Sequence, residues 1–126
     1  MIESPLLENL TGYIGGRWKD SAGGATFDVY NPATGSVIAK VPSMPEEDVV
    51  AAVEAGQSAL RLTNPWPIET RRKWLEDIRD GLKENREEIG RILCMEHGKP
   101  WKEAQGEVDY AAGFFDYCAK HISALD

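Results

Sequence analysis

Apolar residues recur along this chain first in the period of a strand and then in the period of a helix, and the change falls near residue 43. Residues 1 to 12 follow neither period and predict an arm whose order depends on docking. Tyr13-Ile14 and Arg17-Trp18 then flank Gly15-Gly16. Two adjacent glycines between strand-forming residues predict a tight hairpin, because both central residues of a primed turn need positive φ. Phe27 and Val29 alternate with Thr26, Asp28 and Tyr30, which predicts a half-buried strand over Ala25 to Tyr30. The turn former Asn31-Pro32-Ala33-Thr34-Gly35 leads to a second strand, Ser36 to Val41, stopped by Pro42. Strands joined this way pair antiparallel.

Beyond Pro42 the pattern is helical. Ser43 and Glu46 have capping-box spacing with Pro45 in the first turn. Val49, Ala52, Val53, Gly56, Ala59 and Leu60 then form one face of a helix ending near Leu62. Thr63 to Pro67 contains two prolines and predicts an ordered turn, with Trp66 anchored in the core. Leu75, Ile78 and Leu82, continued by Ile89, Ile92 and Leu93, mark a further apolar stripe, and the charges opposite read as a solvated face. Asn85 with Glu88 repeats the capping spacing and divides this stretch into helices over 70–84 and 86–97. Gly98 is placed to end the second, and Pro100 to open a last helix from Trp101 to Ile122.

That last helix carries two stripes. Trp101, Ala104, Val108, Ala111, Phe115, Cys118 and Ile122 make a core face. Tyr110, Phe114, Tyr117 and His121 lie beside it. The second stripe suits either a helix buried on two sides or one wall of a small-molecule pocket, and the sequence leaves both open.

Composition narrows the functions more than the fold. A chain of 126 residues fits one domain by default. Fourteen Lys and Arg against 21 Asp and Glu give a net charge of -7, the wrong sign for gripping nucleic acid. Met1-Ile2-Glu3-Ser4-Pro5 has neither a basic start nor an apolar run, and no span approaches eighteen apolar residues. A soluble cytoplasmic protein without a membrane partner is expected. Cys94 and Cys118, the only cysteines, lack C-x-x-C spacing and predict buried free thiols.

Candidate chemistry is sparse. His97 and His121 lack the i, i+4 partner of helical metal ligands, so surface or capping roles are expected. Glu96, Glu103 and Glu107 read as solvated carboxylates, and Cys94 has no adjacent base to activate it. No catalytic residue and no cofactor-binding residue is assigned.

The blocks taken in order resemble the N-terminal part of the aldehyde dehydrogenase superfamily over residues 13 to about 122. Tyr13-Ile14-Gly15-Gly16-Arg17-Trp18 is similar to the family's opening hairpin, and Val29-Tyr30-Asn31-Pro32-Ala33-Thr34-Gly35 to its N-P-A-T-G turn. Val37 to Val41, Glu46-Glu47-Asp48-Val49 with the alanines that follow, and Arg71 to Asn85 resemble the family's next segments. Glu96-His97-Gly98-Lys99-Pro100, Ala104, Gly106-Glu107-Val108, Phe114, Tyr117 and Ala119 resemble its E-x-G-K-P stretch and the helix after it. Tyr110-Ala111-Ala112-Gly113-Phe114 looks closest to succinate-semialdehyde dehydrogenases, with Tyr117 where those enzymes often carry tryptophan.

The resemblance implies an α/β nucleotide-binding domain, of which this piece alone is α+β: antiparallel N-terminal strands followed by about four α-helices. Residues 1–12 would be an N-terminal arm and 13–126 a truncated N-terminal portion of the NAD(P)-binding domain. It implies oxidation of an aldehyde to an acid through a cysteine thiolate, NAD or NADP, and a glutamate-activated water. The family's nucleophile sits in a G-Q-x-C context, and Gly56-Gln57-Ser58-Ala59 has no cysteine. The chain alone is therefore expected to be inactive and to require the remainder of the same protein, as a homo-oligomer. By resemblance Tyr110, Phe114 and Tyr117 face the aldehyde entrance tunnel. Val29, Tyr30 and Glu96 match positions around a structural monovalent-cation site. The alternative is a short non-catalytic interaction module that docks through its aromatic helix face.

Overall fold

The computed structural model describes residues 1–63 and 66–125. They form two compact units, Met1–Pro65 and Trp66–Asp126. Together they give the α+β piece expected: two small antiparallel sheets and four α-helices. Among the described residues no helix is long and apolar enough to cross a membrane.

The first unit begins with a single 3-10 turn, Pro5–Leu7, capped by the Ser4 side chain. The N-terminal arm is tied down because the Ile2 N–H donates to the Ile38 carbonyl at 2.7 Å. Strands β1 (Gly12–Ile14) and β2 (Arg17–Lys19) pair antiparallel, Tyr13 opposite Trp18. Gly15 and Gly16 between them have φ of 59° and 80°, the conformation that called for glycine at both places. Strands β3 (Thr26–Tyr30) and β4 (Val37–Pro42) form the second pair, with a register shift between Val29 and Tyr30. The turn between them closes through the Gly35 N–H to the Asn31 carbonyl at 2.8 Å, with Gly35 at φ 69°. Pro42 is the last residue of β4 and loses no ladder bond that an end position requires.

Helix α1 runs Glu46–Thr63. Ser43 does not open it. Its N–H donates to the Ala25 carbonyl at 2.8 Å, extending the sheet, and the first helical bond is Val49 N–H to Pro45 carbonyl at 3.2 Å. The apolar face read from the sequence is largely open: Val49, Val53 and Leu60 are exposed. What α1 buries instead is Asp48, while Ile38 and Ala39 of β4 form the apolar core of this unit. The Lys19 ammonium and then the Ala22 N–H hold the Asp48 carboxyl below the usual carboxylate range.

The second unit consists of α2 (Ile68–Glu84), α3 (Arg86–His97) and α4 (Trp101–His121), closed by a 3-10 turn at Ile122–Leu125. Helix α4 packs along both others. The α2–α3 break falls at Asn85 as the sequence predicts, but Asn85 caps the end of α2, its Nδ2 donating to the Gly81 carbonyl at 2.8 Å. It gives α3 no side-chain cap. Gly98 ends α3 at φ 71° with its N–H on the Cys94 carbonyl. Of the turn before α2, Asn64 and Pro65 lie outside the described residues. Trp66 is exposed and stacks on Trp74 with ring centroids 4.6 Å apart, so it is no core anchor.

Ala104, Val108, Ala112, Ala119 and Ile122 are the buried residues of the α4 core. The stripe is rotated from the sequence reading at Ala112 and Ala119, which replace Ala111 and Cys118. Gly90 of α3 lies where α4 passes closest: a Cβ there would sit 3.2 Å from Gln105 Cγ and 3.6 Å from Trp101 Cζ3. Three arginines seven residues apart bind α4. Arg72 donates to the Ala119 carbonyl at 2.8 Å, Arg79 to Asp116 at 3.0 Å, and Arg86 to both oxygens of Asp109 at 2.7 and 2.8 Å. Part of the charged face is thus a seam between helices.

Candidate functional site

Residues 110, 114 and 117 share one side of α4 because four- and three-residue steps return to the same face of a helix. The structure brings Tyr110, Phe114 and Tyr117 together on that side and leaves it open: they are 67%, 55% and 64% exposed. The Tyr110 and Phe114 rings meet edge to face at 4.7 Å. Tyr117 lies against His121 at 4.2 Å. With Asp109 and Gly113 they line a shallow depression of about 450 Å³. Gly113 leaves the floor between the rings without a side chain.

The depression is apolar in chemistry even though a carboxylate borders it. Asp109 is engaged by Arg86, whose hydrogen bond holds the carboxyl below its ordinary range. Glu107, farther along the helix, is likewise held low by its ion pair with Lys99. Such a wall can guide the apolar part of a small molecule, and it presents no activated nucleophile. Both cysteines are free, but they are not buried as expected: Cys118 is exposed and Cys94 half-buried. Asp109 and Gly113 escaped the sequence reading. Their places beside the aromatic positions were visible, but nothing in the sequence signalled that Arg86 would engage Asp109.

The remaining site residues are placed as follows. Val29 and Tyr30 are neighbours on β3 in the first unit, opposite Ala39 and Val37. Glu96 is exposed in the last turn of α3, in the second unit. His97 closes α3 and His121 closes α4. Among the described residues no cluster of three or more His, Cys, Asp or Glu is arranged to hold a metal ion.

A sequence model of the Aldehyde dehydrogenase family matches residues 18–126. The chain belongs to the aldehyde dehydrogenase family. Mitochondrial succinate-semialdehyde dehydrogenase of Arabidopsis thaliana is 41% identical, over 98% of this chain and 24% of its own length. Malonate-semialdehyde dehydrogenase 1 of Geobacillus kaustophilus is 38% identical, over 89% of this chain and 24% of its own. A point mutant of betaine aldehyde dehydrogenase from Staphylococcus aureus, solved with NAD+, superposes with a TM-score of 0.88 at 31% identity, covering 93% of this chain and 24% of that one. This aldehyde dehydrogenase chain thus spans about a quarter of the length of the curated relatives it matches.

The dinucleotide of the family does not fit the described residues. Both sheets are two-stranded and antiparallel, so no parallel strand leads through a glycine-rich turn into a helix. The first turn of α1 carries Glu46, Glu47 and Asp48, which would repel a pyrophosphate where a helix N-terminus might otherwise attract one.

Proposed function

We propose that this chain is the N-terminal portion of an NAD- or NADP-dependent aldehyde dehydrogenase that oxidises a small semialdehyde to the carboxylic acid, succinate semialdehyde being the first candidate. The observation that carries the reading is the open aromatic face of Tyr110, Phe114 and Tyr117 in a chain of this family. Three rings on one helix face suit one wall of the passage by which an aldehyde reaches a reacting centre. The semialdehyde class is supported by the succinate- and malonate-semialdehyde relatives. An apolar wall would guide the carbon chain, so recognition of the substrate's carboxylate falls to other parts of the enzyme. Catalysis by residues 1–126 alone is not expected, because neither cysteine stands in the family's G-Q-x-C context. The working setting is a cytoplasmic homo-oligomer. A second reading, a non-catalytic module docking through the same face, is favoured by the exposure of that face alone.

One experiment separates the two. Residues 1–126 and the product of the uninterrupted reading frame are purified and given succinate semialdehyde with NAD+ or NADP+. Reduced dinucleotide is expected only from the longer protein, which should contain a Gly-Gln-x-Cys segment. A frame ending at Asp126 would leave the interaction module standing, and turnover by 1–126 itself would show that the missing parts are not needed.

A further inference from the structure

Asp48 is the largest side chain in the described residues that is wholly withdrawn from water, 1% exposed, and it lies on the first turn of a helix whose neighbouring acids, Glu46 and Glu47, face solvent. Its two oxygens are divided between separate pieces of chain. Oδ1 accepts from Lys19 Nζ at 2.5 Å, at the end of β2, and Oδ2 accepts from the Ala22 N–H at 3.0 Å. Between these, Ser21 Oγ donates to the Ser43 carbonyl at 2.8 Å. The end of the hairpin and the segment that leaves it are therefore fastened to the first turn of α1 at two points and to the stretch just before it at a third.

Within itself the hairpin has little to hold it. Its strands are three residues each, every residue of β2 is exposed, and Tyr13 meets Trp18 edge to face at 5.0 Å with both residues exposed. A lone two-stranded hairpin is at best marginally stable in water. Its contact with the rest of the unit runs along α1: Gly12, Tyr13 and Ile14 share a concave spot with Met44, Val49 and Asp48 itself, and the Gly15-Gly16 turn shares a second with Ala55 and Gly56. Gly12 lies so close to Met44 that a Cβ there would come within 2.7 Å of Met44 Cε. The carboxylate is thus both the base of the seat and the tie that keeps the hairpin in it.

We propose that Asp48 is a latch: its buried carboxylate decides whether the β1–β2 hairpin and the loop over residues 19–22 stay seated on α1 or detach together while the rest of the chain remains folded. Because a buried charge stripped of its partner is worse than no charge, the latch has a sign that ordinary packing lacks. Lys19→Met leaves the carboxylate buried with only the Ala22 N–H, so the hairpin opens to rehydrate it. Asp48→Asn keeps an acceptor for Ala22 and frees a lysine that is already half in water. Both changes roughly preserve side-chain volume.

Hydrogen–deuterium exchange on residues 1–126, resolved by peptide or amide, tests this. In Lys19→Met the hairpin amides of residues 12–22 are expected to exchange about tenfold faster or more. The β3–β4 ladder and helices α2–α4 keep their protection. Asp48→Asn has a smaller effect, and the double variant returns the hairpin from the Lys19→Met level to that of Asp48→Asn. Unchanged hairpin exchange in Lys19→Met would overturn the proposal. So would faster exchange spread evenly over every element, or a double variant no better protected than Lys19→Met.

Discussion

Ala104 shows how little room the second unit leaves at single positions. It is fully buried on α4, one turn before Val108. A larger side chain there has no water to turn toward and must push α4 from its neighbours. Ala104→Leu is expected to lower stability by about 1–3 kcal/mol, despite leucine's good helix propensity. Urea unfolding read by circular dichroism measures this, and an unchanged midpoint would contradict the packing. Single residues also mark where sequence reading reached its end. Gly15-Gly16 and Gly98 were legible because positive φ admits few residue types. Ala111-Ala112 and Cys118-Ala119 were not, since two small neighbours fit one stripe equally well and only the facing helices choose between them. Asp48 resembled the solvated acids beside it, because its partners lie 26 and 29 residues away.

At the scale of elements, the breaks between helices were legible and the ties between them were not. Arg72, Arg79 and Arg86 repeat every seven residues in plain sight, yet their acceptors belong to α4. These ties make the seam of α2 and α3 with α4 acid-sensitive. Asp109 is held below its ordinary range by Arg86, and Asp116 by Lys120 and then Arg79. A carboxylate with a lowered folded-state pKa contributes stability that is present above its unfolded value, roughly pH 4, and is lost as pH falls through the folded value. Arg86→Gln is therefore expected to be less stable than the parent near pH 7. At about pH 2.5, below the unfolded carboxylate value, part of that contribution is gone and the two should unfold at closer denaturant concentrations. Urea titrations at both values check this, and a deficit independent of pH would mean that Arg86 acts through packing.

Across the whole molecule, large apolar side chains lie open in both compact units. Tyr110, Phe114 and Tyr117 on α4, and Val49, Val53 and Leu60 on α1, are all exposed. Contiguous apolar patches on soluble proteins generally mark contact surfaces. Residues 1–126 are therefore expected to bind a hydrophobic dye and to self-associate at tens of micromolar, and Phe114→Ser with Tyr117→Ser should weaken both. Dye fluorescence and light scattering read these effects; a dye-silent monomer before any substitution would count against them. The open faces accord with a chain that spans about a quarter of its curated relatives. Periodicity could announce that these faces are apolar, but a pattern within one chain carries no record of what lies against it.

The stacked tryptophans at the entrance to α2 have a different consequence. Trp66 and Trp74 lie with centroids 4.6 Å apart and planes tilted by 50°. At that separation their electronic transitions couple and should give a paired ultraviolet circular dichroism band that disappears when the rings part. Tyr13 and Trp18, at 5.0 Å and 63°, supply a second chromophore pair on the hairpin. Each compact unit thus carries its own optical signature, and the loss of one can be timed against the other without attaching a label.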